Sequence, residues 1–402
     1  MPTPVAKPPE NYRDELRATF RLAWPLILSN LAQIAITTTD VLMLGRLGPG
    51  PLAASALAVN LLNIVLYTGI GLGVATAPLI AAALGARIHA LHETRRSFRM
   101  GLWLVSLYAI VGALVLSQAE ELFLLFGQDP TLSAQAGKYM NIMIWALWPA
   151  LLIAVFRTLL TAFDRTAITL VVTLGGVVLN AGLNWLLIFG NLGFPRWELE
   201  GSAIASVITN LLMALTLAAV ILRAPRFRRM HLFGRLFRPD WQRLKRLWVV
   251  GLPIAGTWAF EVSVFSAAVY LMGLIDTVSV AAHVIALQIA ALSFMVPMGL
   301  AQAVTIRVGL GFGARDQAWI AMAGRVALGL TMAFMSMAAL TMWLFPRELA
   351  GLFLDDARPD SGPVLDLAVR FLAIAAIFQL ADGAQVIGAA MLRGLQEPSV
   401  PM

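Results

Sequence analysis

Long apolar runs separated by short polar loops make up most of this 402-residue chain. A run of about 20 residues crosses a hydrocarbon core about 30 Å thick as a helix, because each residue adds about 1.5 Å. The pattern therefore predicts an all-α polytopic membrane protein with ten spans. These are residues 20–45, 52–84, 100–118, 139–161, 167–190, 203–222, 247–274, 279–312, 318–345 and 367–392.

Two segments of the chain repeat each other at a constant offset of 228 residues. Residues 21–87 align with 249–315 without a gap, and 12 of the 67 positions are identical. The significant matches are the glycines and prolines, whose backbone roles other residues do not easily replace. They pair as Pro25 with Pro253, Gly45 with Gly273, Gly71 with Gly299 and Gly85 with Gly313. An even number of spans separates the copies, so the repeat predicts two parallel-related helical lobes, a build typical of secondary transporters.

The repeat also predicts the domain organisation. We expect a cytoplasmic segment at 1–19, a six-helix lobe at 20–222, a basic cytoplasmic linker at 223–246 and a second lobe at 247–402. Six plus six spans are expected, but the second lobe has about four. If the repeat is complete in the intact gene, about two helices are missing, and the sequence leaves open a shorter protein or a truncated reading frame.

Composition narrows the class of protein. With 59% hydrophobic residues, 13% charged residues and a mean hydropathy of +0.81, the chain is too apolar for a water-soluble fold. The absence of cysteine excludes disulfides and thiolate metal sites. No P-loop, H-E-x-x-H or G-x-S-x-G motif occurs, so we expect neither an enzyme nor ATP-driven transport by this chain, and an ion gradient supplies the energy.

The net charge of +7 is a topology signal, because the basic residues lie in the loops, and we expect no nucleic-acid partner. Residues 223–246 hold nine basic residues against one acid, Asp240. The positive-inside rule places this linker, and with it the N-terminus, in the cytoplasm. No apolar segment precedes the first span, so we expect no cleavable signal peptide. The predicted location is the inner (plasma) membrane of a bacterium.

A few polar side chains lie inside the apolar runs, where a carboxylate costs about 2.5–3.5 kcal/mol on insertion scales. Glu261 lies 14 residues into the seventh span, and Asp382 lies about 15 residues into the tenth, so both fall near the membrane midplane. Asp40 lies about 20 residues into the first span, in the outer part of the membrane. Asn184 lies at a similar depth on the fifth span, one helical turn from Asn180. The carboxylates favour a functional reading, whereas the asparagines are equally consistent with helix-to-helix hydrogen bonding.

Other in-span residues have structural explanations. Arg157, near the cytoplasmic end of the fourth span, is expected to extend to the membrane interface. His283 is as consistent with a hydrogen bond in the core as with proton transfer. Pro25 fits a tolerated helix kink.

Ordered motifs in both halves resemble one known family, the multidrug and toxic compound extrusion (MATE) transporters, in their NorM-type branch. The motifs include Thr39-Asp40-Val, Leu179-Asn180 to Asn184, Phe260-Glu261-Val, Val280-Ala-Ala-His283 with Ala286-Leu-Gln288, and Phe378-Gln-Leu-Ala-Asp382-Gly. The resemblance extends over essentially the whole chain. It implies twelve helices in two six-helix lobes, embedded in the lipid bilayer as a monomer without a cofactor. It further implies export of small organic cations in exchange for sodium ions or protons.

The resemblance also assigns site residues. It implies a second-lobe cation site at Glu261 and Asp382, with both carboxylates as sodium ligands, and a first-lobe acidic site at Asp40 with Asn180 and Asn184. Supporting positions are His283, Gln288, Phe378, Gln379 and Pro25. At Phe378 many relatives have a tyrosine, so this chain lacks that hydroxyl for sodium. Two alternatives stay open: an exporter of lipid-linked or polar metabolites of the same superfamily, and a truncated non-transporting membrane remnant.

The basic linker leads to a prediction about topology. Reporter fusions are expected to place residues 90 and 235 in the cytoplasm and residues 129 and 357 outside, because basic loops are retained on the inner side. Finding 235 and 129 on the same side would contradict the parallel-repeat interpretation.

Overall fold

The computed structural model describes residues 8–228, 230–234, 236, 238–273, 275–353 and 361–398. Within these residues the chain forms helices joined by short loops, and no strand occurs. The α-helices are α1 (Tyr12–Gly45), α2 (Pro49–Val74), α3 (Thr76–Ala86), α4 (Ala90–Leu116), α5 (Ala119–Leu125), α6 (Pro130–Ala162), α7 (Thr166–Phe189), α8 (Glu198–Arg223), α9 (Pro225–Arg228), α10 (Trp241–Gly273), α11 (Thr277–Ala314), α12 (Gln317–Leu344), α13 (Pro346–Gly351) and α14 (Ser361–Gly394).

The predicted all-helical, ten-span architecture is confirmed. In the part of the chain that the structure describes, ten helical segments are long and apolar enough to cross a membrane, with α2 and α3 forming one of them. Several helices begin before their apolar run, because capping side chains outside the run satisfy the first backbone N–H groups. Asn11 accepts from the Asp14 amide at 3.0 Å, and Asp129 accepts from the Leu132 amide at 3.1 Å. Residues 12–19 therefore belong to the same helix as the first apolar run.

Each lobe is a bundle, but the two bundles are not equally covered. In the first lobe α7 packs on α1, and α8 packs on both α6 and α7. In the second lobe α14 packs on α11 and α12. The outward-facing sides of α10 and α14 in the second lobe are exposed. The side chain of Phe260 is 67% accessible and that of Ile377 is 70% accessible. Apolar side chains at these positions suit contact with lipid or with further helices.

The repeated glycines lie where the two lobes meet. A Cβ on Gly71 of α2 would lie 2.8 Å from the Ala255 Cα of α10, and a Cβ on Gly299 of α11 would lie 2.9 Å from the Ile27 nitrogen of α1. Ile27 and Ala255 are themselves related by the 228-residue offset. The two crossings are thus equivalent contacts on opposite sides of a pseudo-two-fold axis.

A second symmetric contact joins α3 to α11. A Cβ on Gly85 would overlap the backbone carbonyl of Leu310, and one on Gly313 would overlap that of Ala82, again a pair related by 228. Both helices reach their C-caps two residues later, at Arg87 and Arg315, which share a positive φ of 59° and 58°. The repeat in the sequence is therefore a repeat in the structure, and small residues allow its halves to touch backbone to backbone.

Substitution at a crossing glycine is expected to destabilise the protein. Gly313→Ala places a methyl group against the Ala82 carbonyl, and overpacking of this kind costs about 1–3 kcal/mol. Thermal unfolding of the purified protein in detergent measures the effect. Gly388→Ala on α14 is the matched control, because nothing lies within 4 Å of its added Cβ, and it should be neutral or stabilising. Equal unfolding temperatures for the two variants would show that the crossing tolerates separation.

Candidate functional site

A cavity of about 720 Å³ lies between the two lobes. Most of its wall comes from α1, α2 and α6 of the first lobe, and α11 closes it from the second. Leu44 and Leu52, at the α1–α2 hairpin, line one end. Arg157 of α6 and Arg393 of α14 also line it, each near the C-terminal end of its helix. The volume suits a drug-sized organic molecule.

Asp40 lies on this wall and is held by two side chains of the first lobe. Its carboxylate accepts hydrogen bonds from the Asn184 amide and, at 2.9 Å, from the Ser206 hydroxyl. Asn184 also donates to Asn180 at 3.2 Å, and both asparagines are fully buried. The donors fix the carboxylate on the cavity wall, where Asp40 supplies the one acidic side chain among the described lining residues.

Helix packing brings these residues together. Because Asn180 and Asn184 are one turn apart, they project from one face of α7, and that face packs on α1. The structure therefore places the three predicted first-lobe residues in one hydrogen-bonded cluster. Ser206 was not predicted. Its signal was a polar stripe on one face of α8, formed by Ser202, Ser206 and Thr209, all of which are buried.

The predicted second-lobe pair is less tightly organised. Glu261 on α10 and Asp382 on α14 are partly buried and interact electrostatically with each other. Neither accepts a hydrogen bond from any residue that the structure describes, and neither belongs to the wall of the cavity. No group of three or more acidic or histidine side chains able to hold a metal occurs among the described residues. Two carboxylates supply hard oxygen ligands, and the other ligands to a sodium ion would be neutral oxygens of side chains, backbone carbonyls or water.

Two supporting positions lie close to Asp382 in the sequence. Gln379 is one turn before Asp382 on α14, buried, and donates to the Met335 carbonyl at 3.5 Å. Its own carbonyl oxygen is buried and accepts no hydrogen bond from the described residues. Phe378 points to the exposed face.

The other supporting positions lie apart from the carboxylates. The ring of His283 packs edge-on against the ring of Phe371, with 6.0 Å between the ring centroids, and its Nε2 is buried without a hydrogen-bond partner among the described residues. Gln288 is exposed on α11. Pro25 is buried in α1, 15 residues from Asp40, and its carbonyl accepts from the Ser29 hydroxyl at 2.7 Å. None of these three shares a hydrogen bond with Asp40, Glu261 or Asp382 in the described part of the chain.

A buried ion pair that was not predicted joins the two lobes. Glu15 of α1 and Arg307 of α11 are 0% and 4% exposed and form a bidentate pair, with Arg307 Nε 2.8 Å from Glu15 Oε1. Thr19 donates to the same carboxylate at 3.1 Å, and the guanidinium lies 5.1 Å from the centre of the Trp319 ring. Because Glu15 lies outside the apolar run, hydropathy alone does not reveal this contact.

Arg157 makes a second polar bridge between the lobes. Its guanidinium donates to the Asn30 side chain of α1 at 2.9 Å and to the Gln302 side chain of α11 at 3.3 Å. The expectation that Arg157 extends to the membrane interface is wrong, because amides inside the bundle bind it and it lines the cavity.

The basic linker is docked on the first lobe. Arg96 of α4 donates to Asp240 at 2.6 Å, and Arg243 lies 2.8 Å from Glu93. The hydrogen bond from Arg96 holds the pKa of the Asp240 carboxyl below its ordinary value, so the pair is charged at neutral pH. Several predicted loop positions lie outside the described residues: Arg229, Arg235, Asp355, Asp356, residue 357 and Asp360.

Two parallel-related lobes of membrane-spanning helices around a shared, partly polar cavity define a polytopic transporter fold. The family model MatE matches residues 25–186 and 253–402. The chain is 48% identical to the probable multidrug resistance protein NorM of Mesorhizobium japonicum, covering 99% of this chain and 85% of that protein. It is 37% identical to the multidrug resistance protein NorM of Burkholderia vietnamiensis, covering 99% and 85%.

Solved structures agree in fold. The eukaryotic MATE transporter AtDTX14 superimposes with a TM-score of 0.84 at 19% identity, covering 96% of this chain and 84% of that one. The MATE transporter VcmN of Vibrio cholerae gives 0.87 at 20% identity, covering 97% and 86%. The chain belongs to the MATE family, in its NorM-type branch.

The Glu15–Arg307 pair is expected to contribute strongly to stability. Arg307→Gln leaves an uncompensated buried carboxylate, which costs about 3–5 kcal/mol, whereas adding Glu15→Gln should recover part of this loss. Thermal unfolding of the single and double variants measures the coupling. Arg347→Gln is the control, because Arg347 and Asp366 form an exposed pair worth about 1 kcal/mol or less. Additive losses from the two single substitutions would contradict direct coupling between the two groups.

Proposed function

We propose that this chain is a multidrug efflux antiporter, which exports amphipathic organic cations in exchange for sodium ions or protons. The observation that carries the proposal is the Asp40 carboxylate on the wall of the inter-lobe cavity, held by Asn184 and Ser206. The relatives named multidrug resistance protein NorM support a role in multidrug efflux.

Exchange follows if the organic cation and the coupling ion compete for the same carboxylate. A carboxylate fixed in a largely apolar cavity attracts an organic cation, and a proton or sodium ion that binds there removes this attraction. Coupling ion and drug then exclude each other, which is the requirement for exchange in opposite directions.

Glu261 and Asp382 are proposed as the coupling pair of the second lobe. Two neighbouring carboxylates without hydrogen-bond donors repel each other, and one proton or sodium ion between them relieves the repulsion. One charge that moves down a membrane potential of 100 mV contributes about 2.3 kcal/mol, which supports roughly a fifty-fold concentration gradient of the exported compound. One or two ions per transport cycle are therefore sufficient for export.

Alternating access is proposed to occur at the lobe junction. The Glu15–Arg307 pair and the Arg157 bridge hold together the ends of the lobes on the side of the N-terminus. Opening the cavity toward that side requires both to separate. With the N-terminus in the cytoplasm of a bacterium, this junction is the inner gate of a monomeric, multi-pass plasma-membrane protein.

The second candidate is an exporter of lipid-linked or polar metabolites from the same superfamily. The arginines on the cavity wall favour it, because anionic groups bind guanidinium. The fixed carboxylate of Asp40 in the same cavity favours cations. A non-transporting remnant is the remaining alternative, and a transport measurement distinguishes all three.

Neutralising the coupling pair is expected to abolish gradient-driven efflux. Glu261→Gln and Asp382→Asn keep size and hydrogen bonding but remove the charge that binds the coupling ion. Protein amount should change little, because removal of a carboxylate from the membrane relieves a desolvation cost. Efflux of a fluorescent organic cation from proteoliposomes, under separate sodium and proton gradients, measures the loss.

The matched control is His283→Gln, which should retain at least part of the transport because this ring packs in the core. Wild-type efflux by the Glu261→Gln protein under both gradients would show that this carboxylate is structural. Absence of efflux by the unsubstituted chain under either gradient would favour the remnant.

A further inference from the structure

Arg393 is a buried cation without a partner of its own. It lies in the last turn of α14, is 8% exposed, and lines the cavity. Its Nε is buried without a hydrogen-bond partner, and no described residue forms a hydrogen bond or ion pair with its guanidinium. A guanidinium has five N–H donors, and leaving them unsatisfied in a buried position is costly. The arrangement is that of a site completed by a ligand.

A second guanidinium lines the same cavity. Arg157 is bound only by neutral amides, those of Asn30 and Gln302, so its charge is not balanced by a direct ion pair in the described part of the chain. Gln302 and Thr305 are three residues apart on α11, and both line the cavity. Gln302 contacts Arg157, while Thr305 donates to the Ala390 carbonyl at 3.0 Å. One face of α11 therefore connects the α6 arginine to the last turns of α14.

The positive and negative groups of the cavity are separated along α1. Asn30, which binds Arg157, is ten residues from Asp40, or about 15 Å at 1.5 Å per residue. Asp40 is held by Asn184 and Ser206 and has no basic partner among the described residues. The cavity thus presents an acceptor near one end and two guanidinium groups near the other.

We propose that Arg393 and Arg157 form an anion-binding subsite, which takes the carboxylate of an organic ligand whose apolar, positively charged part extends along the cavity toward Asp40. The inference rests on the proposed export function and deepens it, because it assigns the residues that bind the carboxylate of a ligand carrying both charges. Guanidinium groups match carboxylates with paired, charge-assisted hydrogen bonds.

A structural explanation competes with the subsite. Glu261 interacts electrostatically with Arg393, although the two groups form no ion pair. If Arg393 serves only as the counter-ion of Glu261, its loss affects ion coupling and not the recognition of a ligand carboxylate. The two explanations differ in one measurable quantity, the preference for a ligand with a carboxylate over the same ligand without it.

The test uses two dyes that differ only in this group, tetramethylrhodamine with its free carboxylate and tetramethylrhodamine methyl ester. Binding is measured by fluorescence anisotropy with the full chain in phosphatidylcholine nanodiscs. Arg393→Gln is expected to weaken binding of the free carboxylate about tenfold or more and to change ester binding less than about twofold, since one charge-assisted hydrogen bond accounts for a change of this size. Arg157→Gln should act in the same direction.

Three variants control the measurement. Arg370→Gln removes an exposed arginine from the same helix, outside the cavity wall, and should alter neither dye. Arg393→Lys keeps the charge and should retain part of the preference for the carboxylate. Glu261→Gln should leave the preference intact, because it leaves the guanidinium in place.

Equal weakening of both dyes by Arg393→Gln, or no weakening, would overturn the subsite while leaving the cation exporter in place. Failure of the unsubstituted protein to bind either dye would instead overturn the proposed substrate class. Repeating the measurement in phosphatidylglycerol nanodiscs identifies the source of the anion. A preference that persists there supports a substrate carboxylate, whereas its loss would assign the subsite to an anionic lipid headgroup and overturn the substrate assignment.

Discussion

Close backbone contact between the two halves of the chain is the constraint on which the rest of the structure depends. Gly71 of α2 crosses α10 and Gly299 of α11 crosses α1 in equivalent contacts, and Gly85 and Gly313 form a second equivalent pair between α3 and α11. Lipid tails are as apolar as the side chains of the helices, so the hydrophobic effect does not drive helices together inside a membrane. Close packing at small residues holds them together instead. These crossings leave room for the inter-lobe cavity and bring the buried ion pair into register.

Polar groups inside the bundle fall into two kinds. Glu15 and Arg307 are fully paired, and Asp40 has its amide and hydroxyl donors, so these groups have well-defined positions. Glu261, Asp382 and Arg393 have neighbours of either charge but no hydrogen bond in the described residues. Because an incompletely satisfied charge is costly at low dielectric, this second kind is where we propose that an ion or a ligand completes the structure.

The cavity and the lobe junction are physically linked. Arg157 lines the cavity and at the same time bridges α1 and α11, so its hydrogen bonds report on both ligand binding and lobe separation. A ligand group that takes Arg157 away from Asn30 or Gln302 weakens one of the two contacts that hold the N-terminal side closed. Differential binding to the open and closed arrangements is the only way in which a substrate shifts such an equilibrium.

The sequence by itself determined the ten spans, the 228-residue repeat and the likeness in depth of Asp40 and Asn184, because hydropathy, spacing and rise per residue are properties of single helices. Only the tertiary structure decided which faces meet. It added Ser206 to the Asp40 cluster, paired Glu15 with Arg307 across 292 residues, turned Arg157 and Arg393 into the cavity, and placed Gln288 on the exposed surface. The physical reason is that rotation and partner choice of a membrane helix depend on packing against other helices, which a one-dimensional pattern does not contain.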